Sequence, residues 1–134
     1  MGDDLVTIGE LARRAGVNTS AVRYYERRGL VRPDARHSGQ RRYREHTVRL
    51  VVFIGMLKDA GLSLEDIDGV LRAAQVDEWK AIGERRLAVL DEEIDRLENA
   101  REYLRGALLC RYDHPLNECA VMGAEIDRRL DESQ

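Results

Sequence analysis

The chain has 134 residues, of which 35% are charged, 43% hydrophobic and only 5% aromatic. This composition favours a helical protein with solvated faces and argues against an all-β sandwich or barrel. The longest apolar run, residues 50–57, is interrupted by Gly55 and is too short to cross a bilayer. The N-terminus also lacks the pattern of a signal peptide, so we expect a cytoplasmic protein that makes no membrane contact.

The charge is distributed unevenly, although the net charge is only −3. Residues 13–49 contain eleven arginines and three acidic residues, whereas residues 61–134 carry an acidic excess. A concentrated positive block is typical of a surface that contacts nucleic acid, since a merely solvated face usually mixes both signs. The charge pattern therefore favours DNA binding before any motif is considered.

The first two predicted elements form a helix-turn-helix. Residues 7–10 (TIGE) form a capping box that opens a first helix, and Gly16 ends it. Asn18 or Thr19 caps a second helix, which is rich in arginine and ends at Gly29. Two short helices joined by a tight turn are the signature of this motif, and the second helix is the one expected to enter the major groove.

An arginine-rich hairpin is predicted next, in the position of a wing. Residues 30–32 predict one strand, residues 37–39 the turn and residues 40–43 the second strand. Such a hairpin would place guanidinium groups against phosphates or in the minor groove. A third helix over residues 45–60 and a fourth, opened by the cap motif of residues 63–66, are expected to complete a single small core.

A long helix is predicted from Asp77 to Leu109, because this stretch contains no proline and repeats leucine or isoleucine at heptad spacing. At about 50 Å it is too long to bury its apolar stripe on the small N-terminal domain. We therefore expect a homodimer. The predicted interface consists of Leu87, Leu90, Ile94, Leu97, Leu104 and Leu108.

The predicted fold is mainly all-α and has three parts. They are a winged helix-turn-helix domain (1–75), a coiled-coil dimerisation helix (76–109) and an effector-sensing loop with a C-terminal helix (110–134). Leu11, Val22 and Leu30 are assigned to the core of the first part, as is Tyr25. The residues expected to contact DNA are Arg13, Arg14, Arg23, Tyr24, Arg27, Arg41, Arg42 and Tyr43.

The motifs resemble those of the MerR family of bacterial transcription regulators. The resemblance is carried by residues 7–12 (TIGELA), 22–26 (VRYYE), 39–43 (GQRRY) and 61–67 (GLSLEDI), and it covers residues 5–75 closely. It implies a dimer joined by an antiparallel coiled coil that binds a pseudo-palindrome within a promoter spacer. Effector binding in this family distorts the DNA so that RNA polymerase can engage both promoter elements. One departure is Gln40, where the family often has tyrosine.

Cys110, His114 and Cys119 follow the long helix with the spacing C-x3-H-x4-C. Thiolate and imidazole suit zinc or copper(I), and Asp113 could add an oxygen. Metal-sensing members of the family place a cysteine pair in this loop, so the resemblance supports Cys110 and Cys119 as ligands. Divalent-ion sensors also use a cysteine from the start of the partner's long helix, which is absent from residues 76–79 (VDEW).

Other functions remain open at this point. The two thiols could act as a redox switch, or they could be inert beside an organic effector. Two cysteines are too few for the four-cysteine iron–sulfur cluster of the superoxide-sensing members. An architectural DNA-binding protein is the alternative class. No motif favours an enzyme, and no catalytic residue is assigned.

Overall fold

The computed structural model describes residues 4–133, which fall into two compact units divided between Arg86 and Leu87. The outermost residues of the predicted first and third parts, 1–3 and 134, lie outside the described range. The chain is mainly helical with one small sheet, as predicted. Within the described range, no helix is both long enough and apolar enough to cross a membrane.

The helix-turn-helix forms as predicted, with both caps in place. Helix α1 (Ile8–Ala15) begins after Thr7, whose side chain accepts a hydrogen bond from the Glu10 N–H at 3.1 Å. It ends at Gly16, whose φ of 73° lies in the left-handed region that glycine adopts at little cost. Helix α2 (Thr19–Arg27) begins after Asn18, which accepts from the N–H of Ala21 at 3.0 Å.

The wing differs from the prediction in its first strand. The sheet contains β1 (Val6–Thr7), β2 (Ala35–His37) and β3 (Gln40–Tyr43) in the antiparallel order β1-β3-β2. Residues 30–32 are not a strand: Leu30 and Val31 pack into the core, and the partner of β3 is formed by Ala35–His37 instead. The second predicted strand, residues 40–43, is confirmed as β3, and β1 was not predicted.

Helices α3 (Glu45–Asp59) and α4 (Leu64–Arg72) close the core of this unit. As predicted, Ser63 caps α4 by accepting the N–H of Asp66 at 3.0 Å. The predicted core residues are confirmed as buried. The core contains Leu11, Ala12, Val22, Tyr25, Leu30, Val31, Tyr43, Val48, Val51, Ile54 and Ile67. This packing holds α2 and the wing on one scaffold.

The long helix α5 spans Val76–Ala107, so it begins one residue before the prediction and ends two residues earlier. Leu108 therefore lies just beyond the helix. The C-terminal segment contains a short helix α6 (Pro115–Glu118) within the cysteine loop, and then α7 (Ala120–Glu132).

Candidate nucleic-acid interface and effector site

A cationic groove of about 400 Å³ lies between α2 and the wing. Its lining residues are Arg23, Glu26, Arg27, Val31, Arg32, Pro33, Arg36 and Arg41. Five of the eight are arginines and one is acidic, so the groove is strongly positive. It brings together three of the predicted DNA-contacting residues, and their guanidinium groups suit a phosphate backbone.

Arg32 and Arg36 belong to this groove but were not predicted as contacts. The antiparallel register of the wing pairs Arg36 with Arg41, and Arg32 lies three residues before β2 begins. The arginine density of residues 32–42 was the available signal, but the pairing that brings Arg36 beside Arg41 depends on the strand boundaries. The predicted first strand at residues 30–32 does not contain Arg36, so it did not predict the pairing of Arg36 with Arg41.

Glu26 connects the recognition helix α2 to the wing. Its carboxylate accepts a hydrogen bond from the Tyr43 hydroxyl, and its Oε2 lies 2.8 Å from the Nε of Arg41. Arg41 and Tyr43 are two residues apart on β3, so they lie on the same face of the strand and both reach Glu26. This contact fixes the wing relative to α2, and it occupies part of the Arg41 side chain.

The structure corrects the prediction that Tyr43 contacts DNA. Tyr43 is 0% exposed, so its ring has no surface to present to a duplex. Burial, and then the hydrogen bond to Glu26, raise the pKa of its phenol well above the ordinary value. The predicted role failed because a tyrosine beside two arginines fits either a wing contact or a core residue. The strand register decides between them.

The other predicted contacts on the helices differ in their surroundings. Arg13 and Arg23 are exposed. Tyr24 is 38% exposed, with the guanidinium of Arg27 5.8 Å from its ring centre. Arg14 instead forms two hydrogen bonds of 2.7 Å to the carboxylate of Glu45, which raise the pKa of Arg14 and lower that of Glu45. Arg14 thus links α1 to α3.

Arg42 lies on the face of β3 opposite Arg41, as strand alternation requires. Its Nη1 donates to Oε1 of Gln40 at 3.3 Å and to the backbone oxygen of Arg41 at 3.2 Å. These contacts are to neutral groups, so the positive charge of Arg42 stays available at the wing surface.

The predicted seam of α5 is apolar and largely uncovered in the single chain. Leu87, Ile94, Leu97 and Leu104 are each about half exposed, and Leu90 is intermediate. Leu108, which follows the helix, is 83% exposed. A run of large apolar side chains in this state is typical of a surface that another chain covers.

The two cysteines lie together in a cavity of about 750 Å³ within the C-terminal unit. Both are free thiols, and both line the same cavity wall. The pKa of Cys119 is lowered, first by the backbone N–H of Met122 and then by Cys110, because both stabilise a thiolate at the start of α7. The cavity wall also includes Tyr103, Leu109, Tyr112, Val121 and Met122.

His114 does not join the cysteines, which corrects the predicted three-residue ligand set. Among residues 4–133, no three His, Cys, Asp or Glu side chains are grouped closely enough to hold one ion. His114 precedes α6 and Cys119 follows it, so the two residues flank opposite ends of that short helix. The sequence spacing did not reveal this intervening turn.

Two family models match overlapping parts of the chain. The model of the MerR HTH family regulatory proteins matches residues 6–74, which is more than half of the chain. The chain belongs to the MerR family. A second model, described as MerR, DNA binding, matches residues 48–107. As a member of the MerR family, the protein is a DNA-binding transcriptional regulator rather than an enzyme.

Individual relatives agree with this assignment. A SoxR homolog of Chromobacterium violaceum, named an HTH-type transcriptional activator, is 37% identical over 116 residues, covering 82% of this chain and 78% of the relative. The mercuric resistance operon regulatory protein of Bacillus cereus is 42% identical over 74 residues, which cover 54% of this chain and 56% of that protein. The crystal structure of PbrR691 from Ralstonia metallidurans in complex with lead(II) superposes with a TM-score of 0.66 at 22% identity, covering 89% of this chain and 98% of that one. This similarity supports the fold.

Proposed function

We propose that this regulator binds a pseudo-palindromic promoter spacer as a homodimer and distorts the DNA in response to an effector. The observation that carries the DNA contact is the groove between α2 and the wing, with five arginines around one paired glutamate. Arg23 on α2 is assigned to base edges, and Arg42 on the wing to phosphates. Arg13, Tyr24 and Arg27 are assigned to supporting contacts.

The proposed dimer forms through the apolar seam of α5. A half-exposed row of leucine and isoleucine side chains supports it, because burying the exposed half of each side chain contributes roughly 1 kcal/mol, about half the value for full burial. An antiparallel pair of these helices would relate two DNA-binding units by a two-fold axis, which matches a palindromic site. Distortion of the promoter spacer by this dimer would then allow RNA polymerase to engage both promoter elements.

The proposed effector is a thiophilic ion held by Cys110 and Cys119. The donor set fits, since two soft sulfurs line one cavity and Cys119 is biased toward its thiolate. Zinc in a structural site is held by four ligands. Among the described residues, no three His, Cys, Asp or Glu side chains lie close enough together to bind one ion. Copper(I) therefore fits this chain better than zinc. Two relatives are named for mercury resistance or solved with lead(II), which supports a metal effector.

A thiol redox switch is the second candidate. The presence of two free thiols, Cys110 and Cys119, in the wall of one cavity favours it. Titration of both thiols in protein purified without chelator, combined with element analysis, separates the candidates. A bound thiophilic metal supports the first. In metal-free protein, a Cys110–Cys119 disulfide that forms by exchange with a small-molecule disulfide, which is reduced to its thiols, supports the second.

The DNA-binding proposal is tested with two arginine variants on a duplex selected from a random library and on a scrambled duplex. Arg23→Ala should lose about 1–3 kcal/mol on the selected duplex and much less on the scrambled one. Arg42→Ala should weaken both duplexes alike and reduce the salt slope by about 1. Arg96→Ala, an exposed arginine of α5, is the control and should bind like the parent.

If Arg23→Ala binds the selected duplex normally, the assignment of α2 as the recognition helix is wrong. If Arg23→Ala loses the same affinity on both duplexes, and the parent protein binds the two duplexes equally well, an architectural DNA-binding protein is supported instead.

A further inference from the structure

A third sulfur lies in the wall of the cysteine cavity. Met122 lines the cavity together with Cys110 and Cys119. It is located in the first turn of α7, three residues after Cys119, which is the N-cap residue of that helix. Met122 therefore lies on the same cavity wall as Cys119, one helical turn away along the chain.

Tyr103 of α5 fixes the position of the methionine sulfur. The Tyr103 hydroxyl donates a hydrogen bond to Sδ of Met122 at 2.6 Å. The guanidinium of Arg129 lies 5.5 Å from the centre of the Tyr103 ring, and its Nε donates to Glu125 at 2.8 Å. A thioether that accepts one hydrogen bond keeps a second lone pair, which is available to a metal ion.

We propose that Met122 is a third ligand, so that Cys110, Cys119 and Met122 form a three-sulfur site selective for copper(I). This inference rests on the proposed metal effector and specifies its ligands. Thiolate and thioether sulfurs are the soft donors that copper(I) prefers. A neutral third ligand adds coordination without adding a third negative charge. Zinc prefers additional nitrogen, carboxylate or thiolate ligands, and among residues 4–133 no third His, Cys, Asp or Glu side chain is grouped with the two cysteines.

The test uses the full-length protein, reduced and loaded with copper(I) without oxygen. X-ray absorption of the parent should give three sulfur neighbours around copper. Met122→Leu keeps a similar volume without the sulfur, and it should give two. Competition with a chromophoric copper(I) chelator should show an affinity loss of about tenfold or more. Met56→Leu, at a 62% exposed position on α3, is the matched control and should change neither value.

The outcomes separate this inference from the function on which it rests. Two sulfur neighbours in the parent, or an unchanged affinity in Met122→Leu, would overturn the role of Met122 and leave the cysteine site standing. Copper(I) binding that persists unchanged in a Cys110→Ser/Cys119→Ser variant would overturn the proposed metal site itself. The parent sulfur count decides the inference even if Met122→Leu fails to fold.

Discussion

Replacing Tyr43 with phenylalanine removes one hydroxyl from the contact that joins the recognition helix to the wing. Tyr43 is fully buried, and the side chain of its partner Glu26 is only 11% exposed. A hydrogen bond to a charged group contributes about 1.5–3 kcal/mol, and without it the Glu26 carboxylate keeps mainly Arg41. We expect Tyr43→Phe to lose about 2 kcal/mol of unfolding free energy at neutral pH.

That loss corresponds to a decrease of about 10 °C in the melting temperature of a domain of this size. Urea unfolding followed by circular dichroism, with thermal melts beside it, measures both quantities. Tyr24→Phe is the matched control because Tyr24 is exposed on the same helix as Glu26, and it should unfold like the parent.

The pH dependence provides a second readout of the same contact. The pKa of Tyr43 is raised, so the fold favours the protonated phenol. Its contribution should be fully present below pH 10, the ordinary pKa, and should decline as the pH rises above that value. The stability gap between parent and Tyr43→Phe should therefore narrow in alkali. Equal stability of the variant and the parent at neutral pH, or a stability gap that stays constant across this range, would refute the reasoning.

Three further changes test other parts of the molecule. Ile94→Glu would bury two unpaired charges in the proposed seam, so it should sediment as a monomer and lose operator binding; a stable dimer would remove α5 from the proposal. Gly16→Ala should cost about 1–2 kcal/mol in urea unfolding, since φ is 73° there, whereas Gly55→Ala, inside α3 with open space around it, should be neutral or stabilising. Glu125 has a pKa of about 2, lowered by Arg128 and then Arg129, so its support of α7 should be present above pH 4.5 and lost as the pH falls toward 2. Glu125→Gln should remove this acid-dependent loss of helix signal, and an unchanged profile would contradict the pairing.

Local signals were sufficient for most of the helices. The caps at Thr7, Asn18 and Ser63 are each a single polar side chain that accepts a nearby backbone N–H, and their effect does not depend on distant packing. The left-handed position of Gly16 is equally local. These features place the helix-turn-helix and α4, and the long periodicity after residue 76 places α5.

Features that depend on contacts distant in sequence were less accessible. Tyr43 is buried in the core, and its hydroxyl donates to Glu26, which lies 17 residues earlier on another element. The pairing of Arg36 with Arg41 depends on where the wing turns. In the C-terminal unit, Tyr103 and Met122 are in contact although they are 19 residues apart. The sequence showed only the spacing of residues near the cysteines, and this spacing predicted His114 as the third ligand.

The central claim is that two copies of this chain bind one specific site through α2 and the wing. In vitro selection from a random duplex library with the full-length protein, followed by sequencing, tests it most directly. We expect enrichment of an inverted repeat with two half-sites separated by a fixed distance. Recovery of a single unrepeated half-site, or no enrichment above the starting library, would contradict it.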